Sequence, residues 1–147
     1  MKIARIGLYD VHLPCSGGVY LLSGGREYRG CDAAIVRVIA EDGTEGRGES
    51  TPFGGTYIAA HARGARAGTE DLAPHLLGRD PRETDRIHDA TDEVLVGHAH
   101  AKAAIDIACR GLFGKAVGRP VCEPLGDRAA APDGGRLARP TLRRRAL

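Results

Sequence analysis

Apolar positions recur along this chain with two different periods, and the change of period divides it. From Lys2 to Leu13 the residues alternate as in a strand. Ile3, Arg5, Gly7, Tyr9, Val11 and Leu13 fall on one face and Ala4, Ile6 and Leu8 on the other, so both faces are expected to be partly covered. Pro14 ends that strand. A glycine-rich segment, Gly17 to Gly25, follows around the short apolar run Val19-Tyr20-Leu21-Leu22. Its first glycines signal a turn, and Gly24-Gly25 marks either a strand end or a mobile loop. Ala33 to Ala40 is rich in β-branched residues, and Asp42-Gly43 suits a two-residue type I′ turn, whose central positions both need positive φ. Thr44 to Glu49 returns as the partner strand, which predicts a three-stranded antiparallel meander.

Beyond Pro52 the period lengthens to that of a helix. Residues 57–73 predict one helix, stopping near Ala73 ahead of Pro74. A second starts with Asp80 as N-cap, Pro81 in the first turn and Glu83 completing a capping box, and runs to about Leu95 before Gly97 breaks it. The third, from His98 to Val117, has the clearest pattern: Ala101, Ala104, Ile105, Ala108 and Leu112 form one apolar stripe. Lys102, Asp106 and Arg110 form a polar line beside it, with Asp106 four residues before Arg110 in the favourable order for an ion pair. Strands followed by helices, without alternation, give an α+β domain with a meander and about three helices.

The composition, 42% hydrophobic and 27% charged over 147 residues, fits one domain of ordinary size. With two Phe, four Tyr and no Trp, its core must be built from Val, Ile, Leu and Ala. There is no apolar run long enough to span a membrane and no secretory signal pattern. Cys15, Cys31, Cys109 and Cys122 are too scattered for a Cys-x-x-Cys pair, so reduced thiols in a cytoplasmic protein are expected. Residues 128–147 carry six arginines against the single acid Asp133, with no apolar period. That composition reads as a disordered tail, 127–147, and the abrupt change of character suggests a frameshift in the coding sequence. Arg143-Arg144-Arg145 lacks the folded basic face and aromatic elements of a nucleic-acid reader, so nucleic acid is not an expected partner.

Few residues point to chemistry. His98 and His100, two apart at a helix start, would diverge by about 200° and so not share a metal site. His61 and His75 are isolated. Glu45-Gly46-Arg47-Gly48-Glu49-Ser50 lacks the ending of a phosphate loop, and its glycines instead allow another backbone to approach closely. No nucleophile with an adjacent base is present, so no catalytic and no metal-ligating residue is assigned. The best ligand-facing element is Thr51 to Tyr57, a loop with Pro52, two glycines, Phe53 and Tyr57. Its aromatics either meet a ligand or staple the loop to the following helix. Tyr57 is the first choice for a ligand contact, with Phe53 behind it.

The string Gly97-His98-Ala99-His100-Ala101-Lys102-Ala103-Ala104-Ile105-Asp106-Ile107-Ala108 resembles the last long helix of the N-terminal capping domain in enolase-superfamily enzymes of the mandelate racemase and muconate lactonizing type. Met1-Lys2-Ile3, Val36-Arg37-Val38, Gly46-Arg47-Gly48-Glu49 and Pro120 to Gly126 follow the order of that family, so the resemblance covers residues 1–126. It implies a capping domain whose two loops, here Gly17–Gly25 and Thr51–Tyr57, close over the mouth of a (β/α) barrel, which makes Tyr20 the second candidate ligand contact after Tyr57. The Pro-x-Gly-x-x-Tyr arrangement of Pro52, Gly54 and Tyr57 resembles members acting on proline-type amino acids, including betaines and hydroxyprolines. The family abstracts a proton α to a carboxylate with Mg²⁺, using barrel residues. A barrel takes about 250 residues, so this chain reads as a capping domain truncated before it, inactive by itself. The partner is then a barrel that is missing or on a separate chain, and an uncovered face would favour a homo-oligomer. The alternative is a non-enzymatic binding or assembly module that engages another chain.

Overall fold

The computed structural model describes residues 1–126. Three strands, β1 (Ile3–Pro14), β4 (Gly30–Ala40) and β5 (Glu45–Ser50), form an antiparallel sheet in the order β1-β4-β5. Two short strands, β2 (Tyr20–Leu22) and β3 (Arg26–Tyr28), form a separate hairpin around a helical turn at Ser23–Gly25. Helices α1 (Ala62–Leu76), α2 (Thr84–Val94) and α3 (Ala99–Ala116) follow. The α+β class, the meander and the three helices are those expected from the periods.

The faces of β1 differ from simple alternation. Pairing runs Ile3 with Ala40 but Arg5 with Ile39, so Ala4 is an extra residue in the ladder. A one-residue slip exchanges the two faces of a strand. Ile3 therefore joins Ile6 and Leu8 against the core, while Tyr9, Val11 and Leu13 lie exposed on the opposite face. The β4–β5 turn also differs from expectation. Gly43 has φ 83°, its N–H donates to the Ala40 carbonyl, and Asp42 is not in the positive-φ region. Glu41-Asp42-Gly43 is thus a three-residue connection closed by a left-handed glycine, and the Asp42 carboxylate accepts from Thr44 N–H at 2.9 Å.

Glycines in β5 determine how sheet and helix meet. Gly46 and Gly48 lie on the covered face of the strand, and a Cβ on either would fall 1.9 Å from the carbonyl oxygen of Ala108 or Ala104 on α3. The close backbone approach expected of this segment is found, and α3 supplies the other backbone. Its stripe is buried throughout, with Ala104, Ile105, Ala108 and Leu112 at 0% exposure. Leu72 and Leu76 of α1, Ile87 of α2 and Val36 and Val38 of β4 complete the core. On the outer line Arg110 Nε donates to both Asp106 oxygens at 2.9 and 2.8 Å. Asp106 also pairs with His88 of α2 at 2.8 Å, and Lys102 reaches Asp92 at 2.6 Å. All four cysteines are free thiols, and burial pushes that of Cys109 up to about 12.

Two helix boundaries are corrected. The first helix starts at Ala62, not near residue 57, because His61 Nδ1 accepts from Gly64 N–H at 3.1 Å and caps it. It continues past Pro74, which is exposed within the last turn, and so brings Leu76 into the core. In the second, Asp80 caps a separate turn, accepting from Arg82 N–H at 3.0 Å, with Glu83 N–H on its carbonyl. The helix proper starts at Thr84, and Glu83 makes no side-chain cap. Asp80 has a fixed partner, since Arg82 donates to its carboxylate at 2.6 Å and holds its pKa down at about 2. A lowered native pKa stabilises the fold above the unfolded value and loses that contribution as protons bind. The thermal midpoint of the wild-type chain should therefore fall more steeply between about pH 4 and 2 than that of Asp80→Asn; parallel curves would contradict this role. The residues of the expected Arg-rich tail and frameshift, 127–147, lie outside those described.

Candidate functional site

One end of the sheet, opposite the β4–β5 turn, gathers the segments singled out in the sequence. After Pro14 the chain turns at Cys15–Gly18, where Gly18 N–H donates to the Cys15 carbonyl at 3.0 Å. It then runs through β2, the tip at Ser23–Gly25 and β3. Gly24 and Gly25 both have positive φ, 74° and 72°, which makes the tight tip possible. Cys15 N–H and the Arg29 carbonyl close the base of this excursion at 2.8 Å. In the hairpin register Tyr20 stands directly opposite Tyr28.

The second segment leaves β5 at Ser50. Pro52 is buried and anchors it, while Gly54, at φ 96°, turns the chain so that its carbonyl accepts from Tyr57 and Ile58 N–H. Phe53 projects from this turn onto the hairpin. Its ring centroid lies 5.5 Å from that of Tyr20, 5.2 Å from Tyr28 in an edge-on contact, and 5.8 Å from Tyr57. The Tyr28 hydroxyl and Thr56 Oγ1 are 2.8 Å apart. Tyr20 and Tyr57 remain 52% and 54% exposed, so their ring surfaces are open to a ligand while Phe53 and Tyr28 are half-buried behind them.

All three residues proposed from the sequence, Tyr20, Phe53 and Tyr57, are thus brought into one aromatic cluster from two distant segments. Phe53 staples the loop to the hairpin, with Tyr20 and Tyr28 as the ring partners that it meets there. Tyr28 was missed. Its signal, alternation across Arg26-Glu27-Tyr28 opposite Tyr20-Leu21-Leu22, is three residues long and too short to stand out from a loop.

The histidines need a correction. His98 has φ 50° and precedes the first turn of α3, so the helical angle between positions 98 and 100 does not apply to it. His61, His98 and His100 consequently line one groove between the starts of α1 and α3. Among the described residues no group of three or more His, Cys, Asp or Glu is placed to hold a metal ion. The cluster can bind and orient an apolar or cationic group.

Comparison with known proteins agrees with this architecture. The chain is 41% identical over 129 residues to the cis-3-hydroxy-L-proline dehydratase of Roseibium aggregatum, an alignment covering 88% of this chain and 35% of that enzyme. It is 32% identical over 128 residues to the N-succinyl-L-Arg/Lys racemase of Bacillus cereus, covering 87% of this chain and 34% of the racemase. Among solved structures, a candidate mandelate racemase/muconate lactonizing enzyme of Roseovarius nubinhibens ISM, crystallised with magnesium, superposes with a TM-score of 0.86 at 54% identity. That match covers 90% of this chain and 35% of the other. The chain therefore spans about a third of the length of these relatives. Among the described residues no helix is long and apolar enough to cross a membrane. Residues 28–126 match the family described as the mandelate racemase/muconate lactonizing enzyme N-terminal domain, and the chain belongs to that family.

Proposed function

We propose that residues 1–126 form the capping domain of a cytoplasmic racemase, epimerase or dehydratase acting by proton abstraction α to a carboxylate, with a proline-type amino acid or betaine as substrate. The observation that carries this reading is the exposed aromatic surface of Tyr20 and Tyr57, built on Phe53 from two separate segments, 20–28 and 51–57. A tyrosine face attracts an ammonium or quaternary nitrogen by about 0.5 to 2 kcal/mol, depending on how far the pair is desolvated. The ring bodies also exclude water from the apolar side of such a substrate. The 41% identity to a cis-3-hydroxy-L-proline dehydratase supports the substrate class. In this proposal the magnesium and the groups that move the proton belong to a barrel.

Two results follow for the purified 147-residue chain. With Mg²⁺ in D₂O it should produce no α-deuteration of proline betaine or of hydroxyproline above background. Titrated with proline betaine at high millimolar concentration, it should show movement of the ring resonances of Tyr20 and Tyr57 while those of Tyr9, exposed on the sheet, stay still. Metal-dependent exchange would contradict the division of labour. Equal movement of Tyr9 would contradict the site.

A further inference from the structure

Each segment at the site is fixed at its base, the loop by buried Pro52 and the hairpin by Cys15 N–H on the Arg29 carbonyl, but little of its own structure fixes it beyond that base. The β2–β3 hairpin has three residue pairs, and an isolated two-stranded hairpin of any length is marginal in water. The 51–57 loop turns on the Gly54 carbonyl and on Thr51 donating to Glu49. What joins the two is the ring packing on Phe53 and one directional contact, that of the Tyr28 hydroxyl with Thr56 Oγ1. Tyr28 faces Tyr20 across the hairpin, and Thr56 immediately precedes Tyr57. The hydrogen bond therefore links the two candidate ligand contacts through one residue on each side. Ring packing permits sliding, whereas a hydrogen bond of 2.8 Å fixes the relative position of the segments.

We propose that Tyr28 is a positioning residue that latches the 20–28 hairpin to the 51–57 loop, so that Tyr20 and Tyr57 approach a substrate as one body. This rests on the reading of the two segments as substrate-facing. The bond is exposed and neither partner belongs to the hydrophobic core, so its loss should change the coupling of the loops and leave the fold standing.

Hydrogen exchange of the 147-residue chain without ligand tests the latch. Tyr28→Phe keeps the ring and removes the hydroxyl; Thr56→Val removes the other partner. Each should accelerate exchange by about three- to tenfold in both segments, at the Tyr57 and Ile58 amides and in β2–β3 alike. The double variant should do no more than either single one, and Thr56→Ser should restore the wild-type rates. Thermal midpoints should stay within about 2 °C of wild type, as for surface changes remote from the core. Acceleration confined to the mutated segment, multiplied effects in the double variant, or failure of Thr56→Ser to restore would overturn the proposal. The substrate reading is tested separately by the betaine titration. Coupled exchange with unmoved tyrosine rings sinks only the substrate, and uncoupled exchange with moving rings sinks only the latch.

Discussion

Gly48→Ala is expected to unfold the domain or to lower its thermal midpoint by more than about 10 °C. The added methyl would sit 1.9 Å from the Ala104 carbonyl oxygen and 3.0 Å from the Ala108 nitrogen, both backbone atoms of α3. No rotamer change can relieve a clash with a helix backbone, so β5 and α3 must separate. Overpacking usually costs about 1–3 kcal/mol, and here it falls at the upper end or beyond, because the whole interface has to open. That is a large part of the roughly 5–15 kcal/mol by which a domain is stable. Gly17→Ala is the matched control: nothing lies within 4 Å of the position where its Cβ would be, and the change should stay within about 0.5 kcal/mol. Circular dichroism melts of the two variants decide the matter. Similar midpoints would mean that the glycines of β5 do not set the spacing.

Ile105→Ala is expected to have the next largest effect, about 2–5 kcal/mol of stability, through the cavity left at a fully buried site. Ile105 lies in the middle of the α3 stripe, where the sheet, α1 and α2 share one core. The alanines around it are already minimal, with Ala104 and Ala108 against the β5 glycines and Ala101 against Gly68 of α1, so little side chain is available to fill the gap. Urea unfolding should show a lower midpoint with an unchanged slope. A loss under about 1 kcal/mol would mean that the core collapses around the gap, contrary to a rigid sheet–helix contact. Tyr57→Ala, on the loop, should by contrast leave the urea midpoint nearly unchanged, since Tyr57 is 54% exposed and outside the core.

Legibility in the sequence followed the length of each pattern. Helix α3 was placed to within one residue at each end, because its stripe persists over about three turns and its ion pair has the expected spacing. The glycines of β5 were read correctly, since a strand glycine without a turn has few other physical uses. The faces of β1 were not legible beyond Ile3. A bulge at Ala4 leaves the apolar content of the strand unchanged while exchanging the side on which it falls. Pro74 suggested a helix end, but burial of Leu76 outweighs one lost backbone hydrogen bond in a final, exposed turn. Phe53 and Tyr57 stood out by loop chemistry, and Tyr20 through the resemblance of its segment to a capping loop. Tyr28 and the shared groove of His61, His98 and His100 depend on pairings between distant segments, which periodicity does not encode.

If the two loops of this domain face the substrate of a barrel, a chimera will depend on their tyrosines for turnover. Residues 1–126 would replace the aligned N-terminal part of the Roseibium aggregatum cis-3-hydroxy-L-proline dehydratase, with kcat/KM for cis-3-hydroxy-L-proline measured beside a Tyr20→Ala/Tyr57→Ala version. The account predicts turnover by the chimera and a loss of about a hundredfold in the double variant, the scale expected when substrate placement fails. A chimera that turns over equally well with both tyrosines removed would contradict it.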